Sequence, residues 1–231
     1  MDIVEAINTR RSIRAFKPDP VPRQILEEIL ELAVRAPSWS NTQPWEFIIV
    51  GGPKLEEIKR ALDPMIEKKE ISRIRPDFIM PQKYPDLYTI RKQTLGKTVF
   101  EVKGIERGNK EKRVWWSIQE LRCFDVPNVI YICTDRSYYF QERGVNVWPI
   151  FDCGLLVENI MLLAPKYGLG TLASVAAVMC PDAVRNVLEI PDSSMILIGI
   201  LIGYPDYDDP VNQIRSARDP LEKVSRWYGF D

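Results

Sequence analysis

The segment Met195 to Ile202, MILIGILI, is an unbroken apolar run of strand length. It is too short to cross a bilayer as a helix and reads as a buried strand. Two further runs have the same character, Trp45 to Val50, stopped by Gly51-Gly52, and Val129 to Cys133. A small-residue strand, Leu172 to Val175, follows the turn Gly168-Leu169-Gly170-Thr171. Helical patterns lie between these strands.

Asp2 can cap a short helix whose apolar side is Ile3, Val4 and Ile7. Pro22 opens a longer helix through about Ala36, with Ile25, Leu26, Ile29 and Leu30 in its apolar stripe, and Pro37 ends it. Further helices are expected from Pro53 to about Lys69 with a disturbance at Pro64, from about Asp152 to Tyr167 with Pro165 distorting the last turn, and from Pro181 to about Glu189. Residues 71 to 113 differ. They carry Pro76, Pro81 and Pro85, many charges and no sustained apolar period, so they read as a mobile excursion with short helices, a lid or an arm. That excursion leaves a mixed α+β sheet and a strictly parallel sheet both open.

Composition narrows the chemistry. The 231 residues include no histidine, which excludes Ser-His-Asp and Cys-His nucleophile systems, His-ligated zinc or non-haem iron, and proximal-His haem. With 31 basic and 32 acidic side chains the formal net charge is −1, so nothing global attracts nucleic acid or an anionic membrane. Cys123, Cys133, Cys153 and Cys180 match neither a CxxC pair nor a zinc knuckle and are expected to be reduced, mostly buried thiols. No metal site is expected. The N-terminus lacks an apolar h-region, which points to a cytoplasmic protein.

Two segments could bind a ligand. Arg10-Arg11-Ser12-Ile13-Arg14 gathers three permanently charged guanidinium groups and a hydroxyl. Guanidinium forks match phosphate oxygens, although a solvated basic turn would have the same composition. Ser38, Ser40, Asn41, Thr42 and Gln43 give a dense set of donors and acceptors between prolines, suited to the edges of a planar heterocycle. Ordinary turn chemistry accounts for such residues equally well.

Taken in order, RRSIRAF, APSWSNTQPWEFIIV, FDVPNVIYICTD, YGLGT and RDPLEKV resemble the FMN-dependent nitroreductase superfamily. The resemblance covers most of the chain and is weakest at residues 64 to 120. It implies an α+β fold with a central mixed, mainly antiparallel β-sheet flanked by helices, in an intertwined homodimer. Residues 1–231 would form a single FMN-binding domain, with a lid at about 71–120 and a dimer-embracing tail at about 205–231.

The resemblance also assigns residues. Arg10, Arg11, Ser12 and Arg14 would hold the FMN phosphate and ribityl chain. Ser38, Ser40, Asn41 and Gln43 would lie near the cofactor, some of them from the opposite subunit. Ala173, Ser174 and Val175 would pass the isoalloxazine with backbone groups, and Arg218, or Arg215 in its place, would reach the phosphate. Over the ring, Trp39, Tyr88, Arg91, Trp115 and Phe124 would meet substrate, with Tyr84 and Trp116 also on offer. The implied activity is FMN-dependent oxidation of NADH or NADPH by a ping-pong mechanism. Electrons would pass from flavin N5 to a small planar acceptor such as a nitroaromatic, a quinone or an activated alkene, with no obligatory catalytic side chain. Reductive dehalogenation is an alternative, although Tyr84-Pro85-Asp86-Leu87-Tyr88 does not reproduce the zwitterion grip of iodotyrosine dehalogenases. A flavin-destroying enzyme and a non-catalytic FMN-binding protein are others.

Overall fold

The structure, a computed structural model, describes residues 2–68 and 75–230. Lys69, where the third predicted helix was to end, and residues 71–74 at the start of the excursion lie outside them. The frame is a four-stranded sheet of β1 (Glu46–Gly51), β2 (Asn128–Asp135), β5 (Gly170–Ser174) and β6 (Ser194–Gly203). Their spatial order is β1-β2-β6-β5 and every pairing is antiparallel. The open choice between a mixed and a parallel sheet is thereby settled. A single parallel bridge, Ser12 to Thr171, adds the arginine segment to the outer side of β5.

β2 and β6 are central, and side chains alternate between the two faces. Ile130, Ile132, Ile200 and Ile202 pack with α2 (Arg23–Ala33) and α8 (Trp148–Leu163). Val129, Tyr131, Cys133, Ile196 and Leu201 pack on the other face with α3 (Gly52–Ala61) and α9 (Pro181–Leu188). Both faces of these strands are therefore covered, which is why they carry no polar alternation.

The expected elements are present with shifted ends. α1 (Ile3–Thr9) is capped by Asp2, whose Oδ1 accepts from the Glu5 N–H at 2.8 Å. Its apolar residues Ile3, Val4 and Ile7 are exposed in the single chain, and only Ala6 is buried. The helix predicted from Pro53 is divided at Leu62 into α3 and α4 (Asp63–Glu67), next to Pro64. α8 starts four residues earlier than expected, with Pro149 in its first turn, and Pro165 converts its end into a 3₁₀ stretch, Ala164–Tyr167. Trp148–Tyr167 is long and apolar enough to cross a membrane by length and composition. Here Leu156, Ile160 and Ala164 are fully buried in the core beside α2.

The excursion differs most from expectation. Instead of short helices it holds α5 (Asp86–Val102) of 17 residues and α6 (Lys110–Leu121) of 12. Asn109 caps α6, accepting from the Lys112 N–H at 2.9 Å. Among α5 residues only Val99 is buried, so the apolar period that would announce a helix is missing. The N-terminal part of the excursion is pinned to the sheet. Asp77 accepts from Arg136 at 2.8 Å, from Arg185 at 2.6 Å and from the Ile196 N–H at 2.9 Å. The short α7 (Arg136–Tyr139), a hairpin of β3 (Phe140–Gln141) and β4 (Gly144–Val145), and α10 (Leu221–Val224) complete the α-helices and strands of the described residues and were not foreseen.

Candidate functional site

The arginine segment is extended because it is held on both sides. On one, the Ile13 N–H donates to the Thr171 carbonyl at 3.0 Å, against Gly170. A Cβ at Gly170 would lie 2.5 Å from Ile13 Cγ1 and 2.7 Å from Pro205 Cγ, so this approach requires glycine. On the other, buried Asn212 clamps the segment. Its Oδ1 accepts from the N–H groups of Arg14 at 2.7 Å and Ala15 at 3.3 Å, and its Nδ2 donates to the carbonyls of Ala15 and Asp206, both at 2.7 Å. Asn212 sits in the 3₁₀ turn Pro210–Gln213, capped by Asp209. Sequence reasoning passed over Asn212, because a lone asparagine carries no pattern; the Asp209-Pro210 helix-start signal was the available cue.

This clamp brings two distant sets of arginines together. A groove of about 460 Å³ is lined by Arg10, Arg11, Ser12 and Arg14 from the N-terminal segment and by Arg215 and Arg218 from the C-terminal one. Both tail arginines face it, where one was expected. Leu95 of α5 and Glu158 of α8 also line it. Glu158 stands 3.7 Å from Arg10 Nε, Arg11 lies 5.2 Å from the centroid of the Tyr207 ring, and Arg215 donates to the Asn8 carbonyl at 2.8 Å. Arg218 donates to Ser216 Oγ at 2.9 Å. Five guanidinium groups around one groove leave a cationic surplus that suits a small dianion.

Arg14 is half-buried, and burial lowers its pKa while nearby Glu120 raises it. Burial likewise pushes the Glu120 carboxyl up, opposed by a hydrogen bond from Trp116 Nε1 at 3.2 Å and by the Arg14 charge.

The amide loop is elsewhere. Trp39–Asn41 forms a 3₁₀ turn whose Trp39 N–H donates to buried Asp152 at 3.0 Å. The Gln43 N–H donates to Ser38 Oγ at 3.0 Å and Gln43 Nε2 to the Asn41 carbonyl at 3.2 Å, so part of its polarity serves the turn itself. Ser40, Asn41 and Gln43 adopt positive φ of 49°, 58° and 46°. The loop leads into β1, at the edge of the sheet opposite β5. Three strand spacings, about 14 Å, separate those edges. Within one chain, loop and groove are therefore separate features.

β5 carries Ala173 and Ser174, and Val175 falls just past its end. Ser174 Oγ accepts from the Ala177 N–H at 3.3 Å. The proposed substrate residues are dispersed. Trp39 stacks on Trp148 with centroids 5.7 Å apart. Tyr88 lies under Arg91, which is ion-paired with Asp219. Trp115 and Phe124 flank Trp116 with centroids 6.2 and 5.2 Å away, and Phe124 packs against two core clusters. The four cysteines are free thiols; Cys123, Cys133 and Cys153 are buried and Cys180 is partly so. Among the described residues no cluster of three or more acidic or cysteine side chains could hold a metal ion.

Comparison with known proteins gives the same outline. The nitrobenzene nitroreductase of Ectopseudomonas oleovorans is 30% identical over 231 aligned positions, covering 96% of this chain and 95% of that one. The crystal structure of the FMN and NADPH-dependent nitroreductase NfnB from Sphigopyxis sp. strain HMH superposes with a TM-score of 0.92 at 29% identity, over the full length of both chains. The FMN-dependent nitroreductase NfnB from Mycobacterium smegmatis, solved in complex with NADPH, gives 0.87 at 26% identity over 97% of each chain. The Nitroreductase family profile matches residues 7–204; the chain belongs to the nitroreductase family.

Proposed function

We propose that this protein is an FMN-dependent oxidoreductase that takes electrons from NADH or NADPH and passes them, by a ping-pong mechanism, to a small planar acceptor. Nitroaromatics, quinones and activated alkenes are the acceptor classes. The observation that carries the reading is the convergence of Arg10, Arg11 and Arg14 with Arg215 and Arg218 on one groove. Such a set fits the phosphate of FMN, with Ser12 available to the ribityl chain. FMN, when bound, supplies the redox chemistry, accepting a hydride from the nicotinamide and reducing the acceptor.

The chain's own residues bind and orient. Ala173 and Ser174 lie on an edge strand, where backbone N–H groups can face a planar ring. Ser38, Ser40, Asn41 and Gln43 supply donors and acceptors from the opposite edge, so a site using both sets is completed by a second copy of the chain. Exposed Ile3, Val4 and Ile7 on α1, Trp148, Ile150 and Phe151 on α8, and Trp227, Tyr228 and Phe230 in the tail support such a homodimer. Trp39, Tyr88 and Trp115, each exposed in the single chain, offer separate aromatic surfaces for a flat acceptor. The protein acts as a single soluble domain in the cytoplasm, without nucleic-acid or membrane partners.

The test is steady-state turnover of NAD(P)H with nitrobenzoate, a quinone, an enone and a halophenol. Parallel double-reciprocal lines with the first three support the proposal. Turnover confined to the halophenol assigns reductive dehalogenation instead, and flavin binding without any turnover assigns a non-catalytic role.

A further inference from the structure

Arg91, Leu95 and Val99 of α5 and Lys103 at its C-cap recur every four residues. They form one stripe that drifts by about 120° over roughly 18 Å of helix. The whole stripe faces the C-terminal segment. Arg91 is ion-paired with Asp219, the neighbour of Arg218. Leu95 lines the arginine groove. Val99 is buried in a cluster with Val211, against which Ile214 packs. Lys103 binds Asp209 at 2.7 Å, the cap of the turn that carries Asn212.

From this arrangement we infer that α5 is the outer wall of the phosphate site, and that Asp219 and Arg91 are positioning residues for Arg218. The inference rests on the reading of the groove as the FMN phosphate site. It gives Arg91 a different task from gripping substrate, because its guanidinium is engaged by the tail. It also gives the excursion a second role: the helices that would cover the ring fix the C-terminal arginines from outside. Arg218 itself is exposed and, among the described residues, donates to Ser216 and Ala217, so the adjacent pair ties its stretch of backbone to a 17-residue helix.

Asp219 provides a test of sign. If it acted only through its charge, removing a carboxylate beside a phosphate dianion would strengthen FMN binding. As a positioning residue, its loss must weaken binding. The full-length chain is stripped of flavin and titrated with FMN and with riboflavin, which lacks the phosphate, for Asp219→Asn, Arg91→Gln, the pair of them, and Asp219→Glu.

The expected result is FMN affinity lower by about three- to fivefold in either single variant, the scale of a partly exposed ion pair. Riboflavin affinity stays unchanged, the double variant is no worse than the singles, and Asp219→Glu restores most of the loss. Unchanged or tighter FMN binding in Asp219→Asn overturns the inference. So does an equal loss for riboflavin, which would mark a merely structural role. Arg218→Ala is measured alongside: if it too leaves FMN affinity unchanged, the phosphate reading itself falls, whereas a loss there with none in Asp219→Asn removes only the positioning role.

Discussion

The Arg14 N–H donates to Asn212 Oδ1 at 2.7 Å, across 198 positions of sequence. The bond is one of four that the Asn212 side chain makes with described residues while fully buried. Asn212→Ala takes this partner from the Arg14 and Ala15 N–H groups and the Asp206 carbonyl, while the Ala15 carbonyl keeps the Asp206 N–H at 3.0 Å. The expected loss is about 2–4 kcal/mol of folding stability, read from urea midpoints, together with weaker FMN retention. Asn212→Asp is expected to do no better, since a carboxylate cannot donate to the Ala15 and Asp206 carbonyls.

Arg10 and Arg218 approach the same groove from opposite ends of the chain. Replacing either with alanine should remove charge-assisted phosphate bonds of about 1.5–3 kcal/mol, or roughly ten- to a hundredfold in FMN affinity. Fluorescence titration of flavin-free protein measures this: unchanged affinity in Arg218→Ala counts against the phosphate assignment, and in Arg10→Ala against that arginine's part in it.

Gly170→Ala tests the close approach of the N-terminal segment. The new Cβ would lie 2.5 Å from Ile13 Cγ1, so either the segment moves off β5 or the strand shifts. Overpacking of this kind typically costs about 1–3 kcal/mol. FMN affinity should fall with it, because Ile13 stands between Ser12 and Arg14. Thermal unfolding and flavin titration of one preparation separate the two effects.

The thiols give a prediction in pH. Burial pushes Cys123, Cys133 and Cys153 up to about 12 and Cys180 up to about 11. An unfolded thiol titrates near 8.5. The folded chain therefore holds these protons at a pH where the unfolded chain releases them. Their contribution is complete below about pH 8.5 and is lost as pH rises toward 12, at about 1.4 kcal/mol per thiol per pH unit. Urea midpoints should fall steeply above about pH 9, and Cys153→Ala should make the fall shallower. A neutral thiol reagent on the native protein should label Cys180 first.

How much of this was legible follows from where each interaction lies in the sequence. β2 and β6 could be read because their burial on both faces leaves an unbroken apolar run, and α9 because Pro181 marks its start. The arginine segment was legible as a cluster, and the tail arginines through resemblance. α5 was not, because the stripe it turns toward the C-terminal segment begins with Arg91 and ends with Lys103 at its C-cap, charges that a search for apolar spacing discards. Asn212 and Asp77 were invisible for a related reason. Their partners are far away in sequence, and a single polar residue leaves no local signature of a long-range clamp.

Whether the arginine groove belongs to a working flavin site can be read from the absorption spectrum of the purified full-length chain. The expected result is a yellow protein with an oxidised flavin spectrum that NADH or NADPH bleaches without air and that an added nitroaromatic or quinone restores. A colourless protein that takes up no added FMN would contradict it.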